Sequence, residues 1–238
     1  MAACSSDPSG PGGPARTYRM GFSAFPPRPD TALVLPTLTL ATQHSDAGLI
    51  QLSIPWTALL DGTPAAVEVR VVRLPLADYY RDVGQPITVA LDVTDGLNRA
   101  QESPELIAAG RSITDTAVQR LYREYVSAVD TILHPDYLSL AAETNLIRFA
   151  APAAVYAAIV TMAGAAAADL RDQGTSSKLL VSVQVETAWG GLRSGLYVGI
   201  DQDRTDFPFT DALGSAAHLI FRPVTLGATH RFSTPRGR

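Results

Sequence analysis

A single cysteine, Cys4, excludes any internal disulfide. The four histidines, His44, His134, His218 and His230, are scattered, and no HExxH or CxxC spacing occurs, so no metal site and no other cofactor is expected. Basic residues do not cluster, and Lys+Arg 19 against Asp+Glu 23 leaves a formal charge of -4, which removes nucleic acid from the expected partners. No unbroken apolar run is long enough to suggest a bilayer span. The nearest, Phe149 to Ala168, is interrupted by Pro152, Thr161 and Gly164 and closed by Asp169, Arg171 and Asp172, so it reads as a buried helix and no transmembrane segment is expected. Charged residues make up only 18% of the 238 residues, hydrophobic ones 46%, and the mean hydropathy is +0.10. Such a chain buries a core and is not a disordered polymer.

The two ends differ from the body. Residues 1–16, MAACSSDPSGPGGPAR, are small, polar and rich in Gly and Pro, and read as a disordered tether. Met1-Ala2-Ala3-Cys4 before Ser5-Ser6-Asp7 resembles the tail of a bacterial lipoprotein signal, which makes Cys4 the candidate lipidation site and a lipid anchor a candidate partner. The expected location is extracytoplasmic, lipid-anchored or secreted if the true start lies upstream, and cytoplasmic as the chain is written. From Ala212 to Arg238 there are four arginines and no acid, so this stretch carries +4 against -8 for the rest. Residues 215–238 are expected to be an irregular basic tail, and the abrupt loss of acids is compatible with an out-of-frame segment.

Between the ends, apolar β-type runs alternate with helical periods, the pattern of βα units around a parallel sheet. Strands are expected at Tyr18–Ser23, Leu49–Ile54, Ile87–Leu91, Tyr137–Ala142 and Lys178–Val185, with a sixth near Ala212. Helices are expected at about 30–43, from Thr114 or Asp115 to Leu133, and from about Ala151 to Asp172. The absence of a GxGxxG turn after the first strand favours a barrel over a doubly wound open sheet. The predicted fold is therefore α/β, an incomplete (β/α)8 TIM barrel of five to six βα units over residues 17–214.

In such a barrel the chemistry lies where strands end and loops begin. The residues there are Ser23 and Phe25, then Trp56, then Asp92, then Glu143 with Asn145, then Glu186 with Trp189. Carboxylates with indoles at one mouth suit a carbohydrate, since flat rings stack on sugar C–H faces and acids move protons or stabilise an oxocarbenium. Gly21-Phe22-Ser23, Ile54-Pro55-Trp56 and Pro135 to Asn145 resemble the strands of clan A glycoside hydrolases, nearest to endo-β-1,4-galactanase-type barrels. The resemblance implies a glycosidase acting on a polysaccharide or oligosaccharide, with Glu143 as general acid/base and Trp56, Asp92, Asn145, Glu186 and Trp189 contacting substrate. Ala142 stands where the family has the asparagine before its glutamate, and only 52 residues follow Glu186. The nucleophile that the clan supplies from its seventh strand therefore has no counterpart, and an inactive chain is expected. The alternatives are a non-catalytic carbohydrate-binding surface lipoprotein and an unrelated α/β enzyme.

Overall fold

The computed structural model describes residues 19–22, 24–189 and 199–216. Cys4, Ser23, the 1–16 tether and the tail beyond residue 216 lie outside the described residues. A 3-10 turn, Thr31–Leu33, is capped by the Asp30 carboxylate and leads into α1 (Val34–Gln43). Strand β1 (Gly48–Ser53) follows, then α2 (Trp56–Leu60), α3 (Ala65–Glu68), a π-turn over Val69–Arg73 and α4 (Leu74–Asp82). After β2 (Ile87–Asp92) come α5 (Pro104–Ala108) and α6 (Thr116–Leu133). After β3 (Tyr137–Ser139) come α7 (Thr144–Ala150) and α8 (Ala153–Asp172). Strand β4 (Lys178–Gln184) leads to α9 (Val185–Ala188) and α10 (Asp201–Asp206), and β5 (Ala212–Ala216) closes the described part.

All four strand pairings are parallel, and the sheet order is β1-β2-β3-β4-β5, the order of the sequence. A doubly wound sheet reverses its order at a switch point. None occurs among the described strands, so the sheet is singly wound, as in a (β/α)8 barrel, and the fold is an incomplete TIM barrel. β1 and β5 are its edges among the described residues.

Burial shows which side of the sheet is covered. Ile50, Leu52, Ile87, Val89 and Leu91 are wholly buried on the face turned to the helices, whereas Leu49, Gln51, Thr88 and Ala90, on the opposite face, are half-exposed. Parallel strands normally bury both faces, and β4 does so from Leu179 to Gln184. The inner face at β1 and β2 is open, and that opening positions the site described below.

Helix α6 starts after Asp115 and buries Val118, Tyr122, Tyr125, Val126, Val129, Ile132 and Leu133, the stripe that its spacing predicts. His134, in left-handed conformation at φ +41°, ends it. The Tyr122 hydroxyl donates to the Leu140 carbonyl at 2.7 Å, and burial pushes that phenol far above its ordinary range. By length and composition α8 could cross a membrane. Its Val155, Ile159, Met162, Ala163, Ala166 and Leu170 are instead buried in the core, and it packs along α6.

The first predicted strand is not a strand among its described residues. Met20 N–H donates to the Asp46 carboxylate at 2.8 Å, Asp46 N–H to the Met20 carbonyl at 2.7 Å, and Phe22 N–H to the Ser45 hydroxyl at 3.0 Å. The segment is thus tied to the loop before β1, largely by side chains, where no backbone ladder can propagate. Gly21 runs so close to that loop that a Cβ would sit 2.7 Å from the Ala47 carbonyl oxygen. The fourth predicted strand, 137–142, shortens to β3 at Ser139. Residues 140–142 still bridge the sheet, with Leu140 N–H donating to Leu180 O at 2.8 Å and Ala142 N–H to Leu91 O at 3.0 Å.

Candidate carbohydrate cleft

A cleft of about 470 Å³ opens at the C-terminal ends of β1 and β2. Gln51 and Ser53 from β1, Asp92 from β2 and Thr94 from the loop after it form one wall. Asp95, Gly96 and Leu97 line it beyond them, Phe25 rims one side, and Ser103, Pro104 and Glu105 at the start of α5 complete it. The strand alternation puts Gln51, Ser53 and Asp92 here, because they are the inner-face positions of two adjacent strands. The loop holds its shape through a turn in which the Asp95 carboxylate accepts from Leu97 N–H at 2.8 Å, leaving the Leu97 side chain fully exposed.

Behind the cleft lies a buried ion network. Arg99, 4% exposed, donates from Nε to Glu143 Oε2 at 2.7 Å, from Nη2 to Asp92 Oδ1 at 2.6 Å and from Nη1 to Thr94 Oγ1 at 3.5 Å. The second Asp92 oxygen accepts from Gln51 Nε2 at 2.8 Å. Burial opposes the charge on Arg99, but the two carboxylates outweigh it and hold the guanidinium above its ordinary range. Glu143, 3% exposed, sits in the left-handed region at φ +56° immediately before α7, and its N–H donates to Ser182 Oγ at 3.1 Å. That backbone turn swings its side chain back toward Arg99.

The residues expected at one mouth part company. Asp92 lines the cleft, and Glu143 joins it through Arg99 without reaching the lining. Phe25 lies on the rim. Asn145 is wholly buried, and its amide serves the backbone: Nδ2 donates to Gln184 O at 3.0 Å, and Oδ1 accepts from Gln184 N–H at 2.8 Å and Leu146 N–H at 2.9 Å. Trp56, 0% exposed, is a core side chain at the start of α2, so its ring has no face to offer a sugar. Glu186 accepts from Gln184 Nε2 at 2.7 Å, and Trp189 is 80% exposed; both follow β4, two strands from the cleft.

Arg99, Gln51 and Glu105 escaped the reading by strand ends. Arg99 had a signal nonetheless, being the lone cation between Arg81 and Arg111, in a stretch that holds Asp92, Asp95, Glu102 and Glu105. Gln51 is a polar interruption of the apolar run Leu49-Ile50-Gln51-Leu52. The described residues contain no group of three or more His, Cys, Asp or Glu able to hold a metal ion.

No family model and no curated protein matches the chain. Among solved structures it is similar to that of fungal β-1,4-galactanases, at 16% sequence identity and a TM-score of 0.48, over 75% of this chain and 54% of the other. The chain thus spans about half the length of that relative. The fold assignment rests on strand order and not on this likeness.

Proposed function

We propose that this chain binds a saccharide, without cleaving it, in the cleft at the ends of β1 and β2. One observation carries the reading: the cleft joins a floor of oriented polar groups (Gln51, Ser53, Asp92, Thr94) to exposed apolar side chains on its rim (Phe25, Leu97). Sugars present that duality, with hydroxyls around the ring edge and C–H groups on its faces. The volume lies within the range of small-molecule sites, about 300–1,000 Å³.

The arrangement of carboxylates supports binding over hydrolysis. A retaining glycosidase holds two carboxyl groups about 5 Å apart, on either side of the scissile bond. Asp92 and Glu143 are instead both engaged by one guanidinium, through its Nη2 and Nε donors. Glu143, the acid/base implied by the sequence resemblance, is covered in this arrangement.

Calorimetric titration with β-1,4-linked galacto-, gluco- and xylo-oligosaccharides tests the reading, together with turnover of aryl glycosides. Saturable binding that weakens in Phe25→Ala and Asp92→Asn, with no turnover, is the expected result. Turnover abolished by Glu143→Gln would replace binding with hydrolysis, and absence of both would end the carbohydrate reading.

A further inference from the structure

We propose that Gln51 is a specificity-determining residue of the cleft: its amide oxygen, Oε1, accepts a hydrogen bond from one hydroxyl group of the saccharide. The inference rests on the carbohydrate reading for its ligand. It adds the group that reads the ligand and the direction of the bond.

The parallel register sets Gln51 opposite Ala90 and Ser53 opposite Asp92. Ala90 and Asp92 lie two residues apart and so share one face of β2. Ala90 offers only a methyl group there, and the Gln51 side chain extends past it to Asp92, where Nε2 donates to Oδ2 at 2.8 Å. A primary amide carries its donor and its acceptor on separate arms of one plane. Holding Nε2 on Asp92 therefore turns Oε1 away from that carboxyl. Oε1 accepts no hydrogen bond among the described residues and is not sealed in the interior. Gln51 itself is half-exposed in the cleft lining.

The other polar groups of the floor are less selective. Asp92 is engaged on both oxygens, by Arg99 Nη2 and by Gln51 Nε2, and Thr94 Oγ1 already accepts from Arg99 Nη1. Ser53 carries a hydroxyl, which donates or accepts as its partner requires. Among these four residues, Gln51 Oε1 is the uncommitted atom that can only accept. Its amide is also polarised, because a hydrogen bond given at Nε2 strengthens one received at the oxygen. A ligand seated over Oε1 displaces its water. A hydroxyl group at that point restores the lost bond, whereas a ligand without a donor there leaves the oxygen unpaired, the situation in which a site rejects an analogue. The test applied to the ligand is thus its O–H proton and not its polarity, so a C–F group in the same place fails as a C–H group does.

The experiment takes the tightest binder among β-1,4-linked galacto-, gluco- and xylo-oligosaccharides, with its singly deoxy and deoxyfluoro analogues. Each is titrated calorimetrically into the native chain, Gln51→Met and Gln51→Asn, while NMR follows the Gln51 side-chain amide in the native chain. At one hydroxyl position both analogues are expected to bind the native chain about tenfold more weakly than the parent sugar. The parent sugar shifts the Gln51 amide resonances further than those two analogues do. In Gln51→Met, which keeps the length and loses the acceptor, the parent sugar binds about tenfold more weakly and that hydroxyl ceases to matter, the non-additivity of two groups in contact. Gln51→Asn, one methylene shorter, withdraws the oxygen and follows the same pattern; with the NMR arm it decides the matter if Gln51→Met does not fold. A deoxyfluoro analogue that keeps the parent affinity at the position where the deoxy one loses it would show that the cleft donates there, and would overturn the inference. Affinity unchanged in both variants, or losses that simply add, would overturn it too and leave the carbohydrate reading standing. A native chain that binds none of the oligosaccharides would overturn both.

Discussion

The side-chain amide of Asn145 completes both backbone hydrogen-bonding groups of Gln184, donating to its carbonyl at 3.0 Å and accepting from its N–H at 2.8 Å. The pair joins the first turn of α7 to the last residue of β4, where the ladder would otherwise end with polar groups unpaired inside the protein. Asn145→Ala exposes no new surface but strands two buried backbone groups. A loss of about 2–4 kcal/mol is expected, measurable by urea unfolding. A change below about 0.5 kcal/mol would show that β4 can satisfy these groups in another way.

The two tryptophans are expected to separate stability from binding. Trp56 is wholly buried, and its truncation to Ala leaves a large void, at a cost of about 3–5 kcal/mol. Its Nε1 has no hydrogen-bond partner among the described residues, so Trp56→Phe loses only shape and is far milder. Trp189 is exposed, and Trp189→Ala is expected to change stability by no more than about 0.5 kcal/mol. Equal losses for the two alanine variants, in the same denaturant titration, would contradict the placement of Trp56 in the core.

Gly48 begins β1 directly beneath a ring. A Cβ there would lie 2.4 Å from the Tyr80 side chain, which α4 presses onto the strand and which is itself buried. Gly48→Ala forces the ring or the strand to shift, with an expected loss of about 1–3 kcal/mol. Pairing it with Tyr80→Leu should recover part of that loss, since the smaller side chain vacates the contact. An additive double variant would mean that the two residues do not meet.

The fork between Arg123 on α6 and Asp169 on α8, at 2.6 and 2.7 Å, predicts a small acid-range effect. The Arg123 hydrogen bond, helped by its charge, holds the Asp169 carboxyl below the usual carboxylate range. A depressed folded value means that the contribution is present above the unfolded value, near pH 4, and is lost as pH falls through the folded one. The pair is largely solvated, so the amount is at most about 1 kcal/mol and shrinks with salt. Arg123→Gln should lower stability at neutral pH by at most about 1 kcal/mol and by less at low pH, which flattens the acid dependence. A variant whose stability falls equally at pH 3 and pH 7 would argue against the pair.

Much of the scaffold was legible from local pattern. Helix α6 follows its three-and-four spacing from Val118 to Leu133 and stops at His134-Pro135, and β2, β4 and β5 lie where the apolar runs put them. The short helices α2 to α5 were not legible, because four to nine residues hold too few turns for a period to stand out. The segment before Ser23 has strand-like composition, yet among the described residues it joins no backbone ladder, and no composition can report a missing ladder. The site was legible at Asp92, which ends its strand, and much less so at Asn145 and Trp56. Polarity and aromaticity mark a residue as suited to a ligand equally well when the ligand is the protein's own backbone or core.

What the chain determined by itself was the succession of buried strands and covering helices, since alternation and helical spacing are properties of neighbouring residues and are written locally. What folding in three dimensions decided was which charges meet. Arg99 lies seven residues from Asp92 and forty-four from Glu143, and only the curl of a sequentially ordered parallel sheet carries the ends of β2 and β3 close enough for one guanidinium to hold both.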